Sequence, residues 1–213
     1  MATPSASKER SYNGDYMQVG KRAEEIVLAF LKSRPDVLGV NDFRELRAVQ
    51  EADIDFAIKT LDGRVTLAEV KSDRHLGISD NVLFEVLRIN HTCITDKSCI
   101  LGWSARTPAQ YILYFSPQFN RLYQFRTEQL RKAFQKYSHD MRKKIRIDVV
   151  PTDQIKTTIN VLIPKKYWKH IVRIYDLSAF AFEIDANNAD PTSPPIINQA
   201  LYFDDGKNQQ NLF

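Results

Sequence analysis

Residues 52–71 read ADIDFAIKTLDGRVTLAEVK. Two apolar-rich runs flank Asp62-Gly63, and an Asp-Gly pair in that setting is a strong signal for a tight turn. The stretch predicts a β-hairpin over roughly 52 to 71. Side chains along a strand alternate between faces, so Glu69 and Lys71 share one side while Val70 turns into the core. Asp53 and Asp55 likewise share a face, and the short turn sets residues near 55 and 69 almost opposite one another. Acids and a lysine gathered on one hairpin face are costly to bury without a purpose. Converging carboxylates at a strand edge are what a hard, oxygen-seeking ion such as Mg²⁺ requires, with Lys71 beside its water. The chemistry indicated is hydrolysis of a phosphodiester. The competing reading makes Glu69 and Lys71 solvated cross-strand charges, a common arrangement.

Upstream, GKRAEEIVLAFLKS from Gly20 places apolar residues at 23, 26, 27, 30 and 31, the spacing of one helical face. Glu24 falls at the border of that face and Glu25 points away from it. Downstream, Ser79-Asp80 before VLFEVLRI predicts a second helix, with Val82, Leu83, Val86 and Ile89 on one side. CILGWSA, AQYILYFS and RLYQF read as strands, and Thr127 opens a helix through Lys136. IRIDVVP and TTINVLIP read as further strands, with PKKYWKHIVRI open between helix and strand. The polar start, residues 1–15, reads as a flexible leader, and 186–213, rich in Asn, Asp and Pro, as a flexible tail. Residues 16–185 are expected to form one domain.

The helix Gly20-x-x-x-Glu24, the DFAI at 55 and Glu69-Val70-Lys71, in that order over roughly 19 to 92, resemble the PD-(D/E)XK nuclease superfamily. The similarity is strongest to its archaeal Holliday-junction resolvase-like and restriction-endonuclease-like branches. It implies an α/β fold with a mixed central β-sheet flanked by helices. It also implies a Mg²⁺-dependent endodeoxyribonuclease, Mn²⁺ substituting, that acts in DNA repair, recombination or replication-linked processing. Asp55 and Glu69 would be metal ligands, the Val70 carbonyl would complete the inner shell, Lys71 would position the water, and Glu24 would reach the metal through water. Asp53 is the alternative motif aspartate, although spacing within the hairpin favours Asp55, and Ala52 stands where the family has its proline. Ser72 and His75 follow the strand where substrate contacts are common, although a lone surface histidine is more often inert. The rival function is a catalytically inactive DNA-binding or clamp-associated adaptor of the same fold.

Apolar residues make up 43% of the 213 and charged ones 26%, a globular balance, and no apolar run approaches the roughly 20 residues that span a bilayer. A cytoplasmic protein is expected, with Cys93 and Cys99 reduced and structural. The net charge of +4 is too mild to indicate a partner, but its distribution is uneven. Arg131, Lys132, Lys136, Arg142, Lys143 and Lys144 cluster in a stretch with few acids, interleaved with aromatics, as phosphate contacts on DNA would be. The blander alternative is the solvated face of an amphipathic helix with Phe134 and Tyr137 inward. The closing residues Gln209-Gln210-Asn211-Leu212-Phe213 resemble the peptide with which replication and repair proteins dock onto bacterial sliding clamps, through Gln209, Leu212 and Phe213. A homodimer would suit cleavage of both DNA strands.

Overall fold

The computed structural model describes residues 6–90, 99–141, 147–153 and 156–188. In chain order the elements are α1 (Ala6–Ser33), β1 (Val37–Asp42), α2 (Arg47–Gln50), β2 (Phe56–Thr60), β3 (Val65–Ser72), β4 (Asn81–Asn90) and β5 (Cys99–Leu101). Then follow α3 (Trp103–Arg106), β6 (Tyr111–Ser116), β7 (Arg121–Arg126), α4 (Thr127–Met141), β8 (Ile147–Asp153), β9 (Lys156–Pro164), α5 (Lys165–Trp168), β10 (Val172–Asp176) and α6 (Ser178–Asn188). Six strands form the central sheet in the order β1-β2-β3-β6-β7-β10, and four form a second sheet in the order β5-β4-β9-β8. In the central sheet β3 and β6 run parallel and the other neighbours antiparallel, so it is mixed, and the fold is α/β with helices flanking it.

The hairpin forms as its turn chemistry requires. Gly63 takes φ +82°, a conformation open to glycine. Asp62 accepts hydrogen bonds from the Thr60 hydroxyl at 2.5 Å and the Arg64 amide at 3.3 Å, and the Thr60 amide reaches the Arg64 carbonyl at 2.9 Å. The resulting register pairs Phe56 with Ala68. Period-two alternation then divides the central sheet between two cores. Phe56, Ile58, Ala68, Val70, Leu113 and Phe115 pack against Ala23, Ile26, Val27 and Leu31 of α1. Ile112, Tyr114, Tyr123 and Phe125 face the opposite side, with Phe84, Val161 and Ile163 of the second sheet and Leu130 and Tyr137 of α4. Among the described residues no helix is long and apolar enough to cross a membrane.

Two expectations change. Residues 81–90 form strand β4, not a capped helix; Asp80 has φ +54° and its carboxylate pairs with Lys165 at 2.8 Å. The strand pairs with β9 along its length, and its register slips between Glu85 and Leu87, which breaks the alternation and leaves an apolar spacing like that of a helix. CILGWSA is only partly strand, because Gly102 ends β5 and Trp103 starts α3; a Cβ at Gly102 would collide with the Glu85 main chain. Helix α1 begins at Ala6, and helix α6 runs to Asn188, its start capped by Asp176, which accepts from the Ser178 amide at 2.9 Å. Cys99 is a free, exposed thiol; Cys93 lies outside the described residues. The ambiguous PKKYWKHIVRI resolves into both, α5 followed by β10.

Candidate active site

Asp55 stands one residue before β2. The register Phe56 to Ala68 sets it against Glu69 on the neighbouring strand, and its amide donates to the Ala68 carbonyl at 3.0 Å. The Asp55 carboxylate accepts the Val70 amide hydrogen at 2.7 Å, and it lies near enough to the Glu69 carboxyl for each to perturb the other. Glu69 is only 4% exposed, and its Oε1 is held by the Lys71 ammonium, two residues along the same face. Lys71 Nζ also lies 5.8 Å from the centre of the Trp103 ring, within range of a cation–π contact. Glu24, half-buried on α1, is close enough for its carboxyl to be influenced by Asp55 and Lys71. Helix and hairpin thus bring together the four residues on which the sequence argument rested.

The electrostatics are those of crowded acids. Burial first, and the Asp55 charge second, push the Glu24 carboxyl up to about 7, against the pull of Arg44 and Lys71. Burial pushes Glu69 up to about 8; the Asp55 and Asp53 charges add to this and Lys71 opposes it. Asp55 is raised as well, by burial, with the Val70 amide and Lys71 countering. Burial acts to lower Lys71, but the charges of Glu69, Asp55 and Asp53 prevail and hold it above its ordinary value. Removing a carboxylate from water disfavours its ion, and a second carboxylate nearby disfavours it further.

No protein-family model matches the chain. No curated protein matches it. Among solved structures it is similar to a bacterial homing endonuclease, I-Ssp6803I, with 11% sequence identity and a TM-score of 0.37 over 53% of this chain and 69% of that one. A likeness that partial carries no functional weight, and the residues must speak for themselves.

Two donor-set observations bear on a divalent ion. Three carboxyls converge whose ionised forms are all disfavoured, and Glu69 Oε2 is buried with no hydrogen-bond partner among the described residues. An added cation would relieve both conditions, so the residue set fits one chemically. As placed, no group of three or more His, Cys, Asp or Glu side chains among the described residues is drawn in to metal-holding distance.

Asp53 does not continue the strand. Its φ of +54° takes it out of the alternation, and Arg106 of α3 grips its carboxylate, with Nε at 2.9 Å. The same α3 turn is bonded to the hairpin through the Thr107 hydroxyl, which donates to the Asp53 carbonyl at 2.7 Å. Ser72 is exposed at the end of β3, and His75 is exposed with its amide donating to Asp73 at 2.7 Å. Neither joins the hydrogen bonds or ion pairs of the four among the described residues. On α4, Arg131 donates to the Ser104 and Thr107 carbonyls at 2.7 and 2.8 Å, so it braces α3. Lys132 pairs with Glu128 at 2.7 Å, and Lys136 is exposed. Phe134 stacks on Phe84 and Tyr137 is buried, as the amphipathic reading expected. Arg142, Lys143, Lys144, Gln209, Leu212 and Phe213 lie outside the described residues.

Sequence reasoning missed three contributors. Arg44 reaches Glu24, Arg106 holds Asp53, and Trp103 underlies Lys71. Each comes from outside the hairpin, and only the Asp42-to-Phe56 register and the β3-to-β6 crossover bring them to it. No local spacing signals such neighbours.

Proposed function

We propose that this chain is a divalent-metal-dependent DNA endonuclease of the PD-(D/E)XK type, using Mg²⁺ or Mn²⁺. The observation that carries the reading is the register that sets Asp55 opposite Glu69 on adjacent strands, with the Lys71 ammonium bonded to Glu69 beside them. Asp55, Glu69 and the Val70 carbonyl would hold the ion, and Glu24 would reach it through water. A bound ion of this kind lowers the pKa of its water and screens the phosphate. Lys71 then orients the attacking water and neutralises charge developing on the phosphate, from a position set by Glu69 and the Trp103 ring. Asp53, held by Arg106, supports the site's charge balance and is not a ligand. Buried carboxyls with raised pKa values give up protons when a cation arrives, so ion binding is coupled to proton release.

The deciding experiment incubates purified protein with linear, nicked, single-stranded and four-way-junction DNA in Mg²⁺, in Mn²⁺ and in chelator. Cleavage that requires the ion supports the proposal and identifies the substrate class. DNA binding without cleavage in either metal across the whole panel would instead establish the adaptor reading.

A further inference from the structure

Glu24 is the one carboxylate of the four-residue site that the hairpin does not supply. It sits on α1, and a helix side chain stays over a neighbouring sheet edge only where something holds it. Arg44, two residues beyond β1, places Nη1 3.6 Å from Glu24 Oε2. Arg44 is itself anchored. Its Nε and Nη2 donate to the two oxygens of Asp42 at 2.9 and 2.7 Å, and its amide donates to Asp42 Oδ1 at 3.1 Å. Its guanidinium carbon lies 5.6 Å from the centre of the Phe56 ring. Phe56 is fully buried, adjoins Asp55 in the chain, and faces Asp42 across the β1–β2 register. The cation that reaches Glu24 is therefore fastened to the strand end that presents Asp55. A planar fork can grip one carboxylate with two nitrogens and offer the third to another, which a lysine ammonium cannot reproduce.

We infer that Arg44 is a positioning residue for the metal site, holding Glu24 over Asp55 through the chain Asp42–Arg44–Glu24. This rests on the nuclease reading above. The competing role is a simple counter-charge for crowded acids, and the two differ in sign. A counter-charge repels an incoming divalent ion, so its removal tightens ion binding. A positioning residue does the opposite, because its loss frees the carboxylate it held.

The test titrates Mn²⁺ by calorimetry into the full chain as wild type, Arg44→Ala, Glu24→Gln and the double variant, with metal-free thermal melts to establish folding. Arg44→Ala should weaken Mn²⁺ binding about tenfold, in the range seen for residues behind metal ligands. It should add nothing in the Glu24→Gln background, since both act through one carboxylate. Asp42→Asn, which loosens the anchor and leaves Arg44 in place, should weaken binding in the same direction and serves if Arg44→Ala does not fold. Tighter or unchanged Mn²⁺ binding in a folded Arg44→Ala protein overturns the inference, as does a further loss in the Glu24→Gln background. If wild type takes up no Mn²⁺, the metal-site reading fails and takes this inference with it; wild-type binding that Arg44→Ala does not weaken overturns the inference alone.

Discussion

Asp55 Oδ2 accepts the main-chain amide hydrogen of Val70 at 2.7 Å, so the carboxylate that the register sets opposite Glu69 also ties the entry of β2 to β3. On the proposed nuclease reading, structure and chemistry share one side chain, and two substitutions separate them. Asp55→Asn keeps an oxygen that can accept the Val70 amide while removing the charge. It should retain the wild-type melting temperature or exceed it, since a disfavoured buried charge is gone, and lose about 10²-fold or more in cleavage rate. Asp55→Ala leaves the amide unpaired and should also destabilise the fold by about 1–3 kcal/mol. Equal stability of the two variants in thermal or denaturant unfolding would show that the Val70 bond contributes nothing.

What the sequence made legible follows from how local each signal is. The hairpin and its face of Glu69 and Lys71 could be read because Asp62-Gly63 fixes the turn and hence the pairing of Phe56 with Ala68. Strand β4 could not, because the register slip between Glu85 and Leu87 imposes a helix-like spacing on a strand. Helix α1 was legible only from the apolar face that starts at Ala23; Asn13 and Gly14, poor helix formers, obscure its earlier turns. Arg44, Arg106 and Trp103 needed tertiary structure, since strand order and a long crossover bring them to the site.

The raised carboxyls predict a pH dependence of stability with a definite sign. Glu24 and Glu69 hold their protons up to about 7 and about 8 when folded, against 4.5 when unconstrained. Between these limits the folded state binds more protons than the unfolded one, so stability falls as pH rises. In chelator, the melting temperature should decline from about pH 5 to about pH 8. Mn²⁺ should restore most of the loss at the upper end, where the carboxylates are free to bind it. Glu69→Gln should flatten the upper part of this decline; a melting temperature that rises with pH in chelator would contradict the folded-state proton affinities.

On the proposed reading, Lys71 should divide catalysis from binding. Its ammonium is bonded to Glu69 and lies against Trp103, with 27% of its side chain exposed, so it is reachable from solvent. Lys71→Ala should lower the cleavage rate by about 10²–10⁴-fold, the range for removing a group that acts in proton transfer or on developing charge. DNA affinity measured in chelator should change little. Retention of cleavage in this variant would remove Lys71 from the reaction, whereas a parallel loss of DNA binding would make it a substrate contact.

On α4, two basic residues with similar credentials in the sequence should part company in solution. Arg131 gives its guanidinium to the Ser104 and Thr107 carbonyls, which flank the turn carrying Arg106. Lys136 is exposed and has no carboxylate partner among the described residues. Neutralising a lysine that contacts a phosphate reduces the slope of log affinity against log salt by about 0.9, because one fewer counterion is released. Lys136→Gln should show that change in a fluorescence anisotropy titration of duplex DNA without metal, at a melting temperature near that of wild type. Arg131→Ala should do the reverse. Loss of two charge-assisted hydrogen bonds lowers stability by about 1.5–3 kcal/mol or more, and the salt slope stays put. Because α3 also carries Trp103 and Arg106, its loosening reaches Lys71 and Asp53, so Arg131→Ala should slow cleavage more than it weakens DNA binding. A lower salt slope at unchanged stability for Arg131→Ala would return that residue to the DNA surface and leave α3 braced by Glu85 through the Trp103 amide.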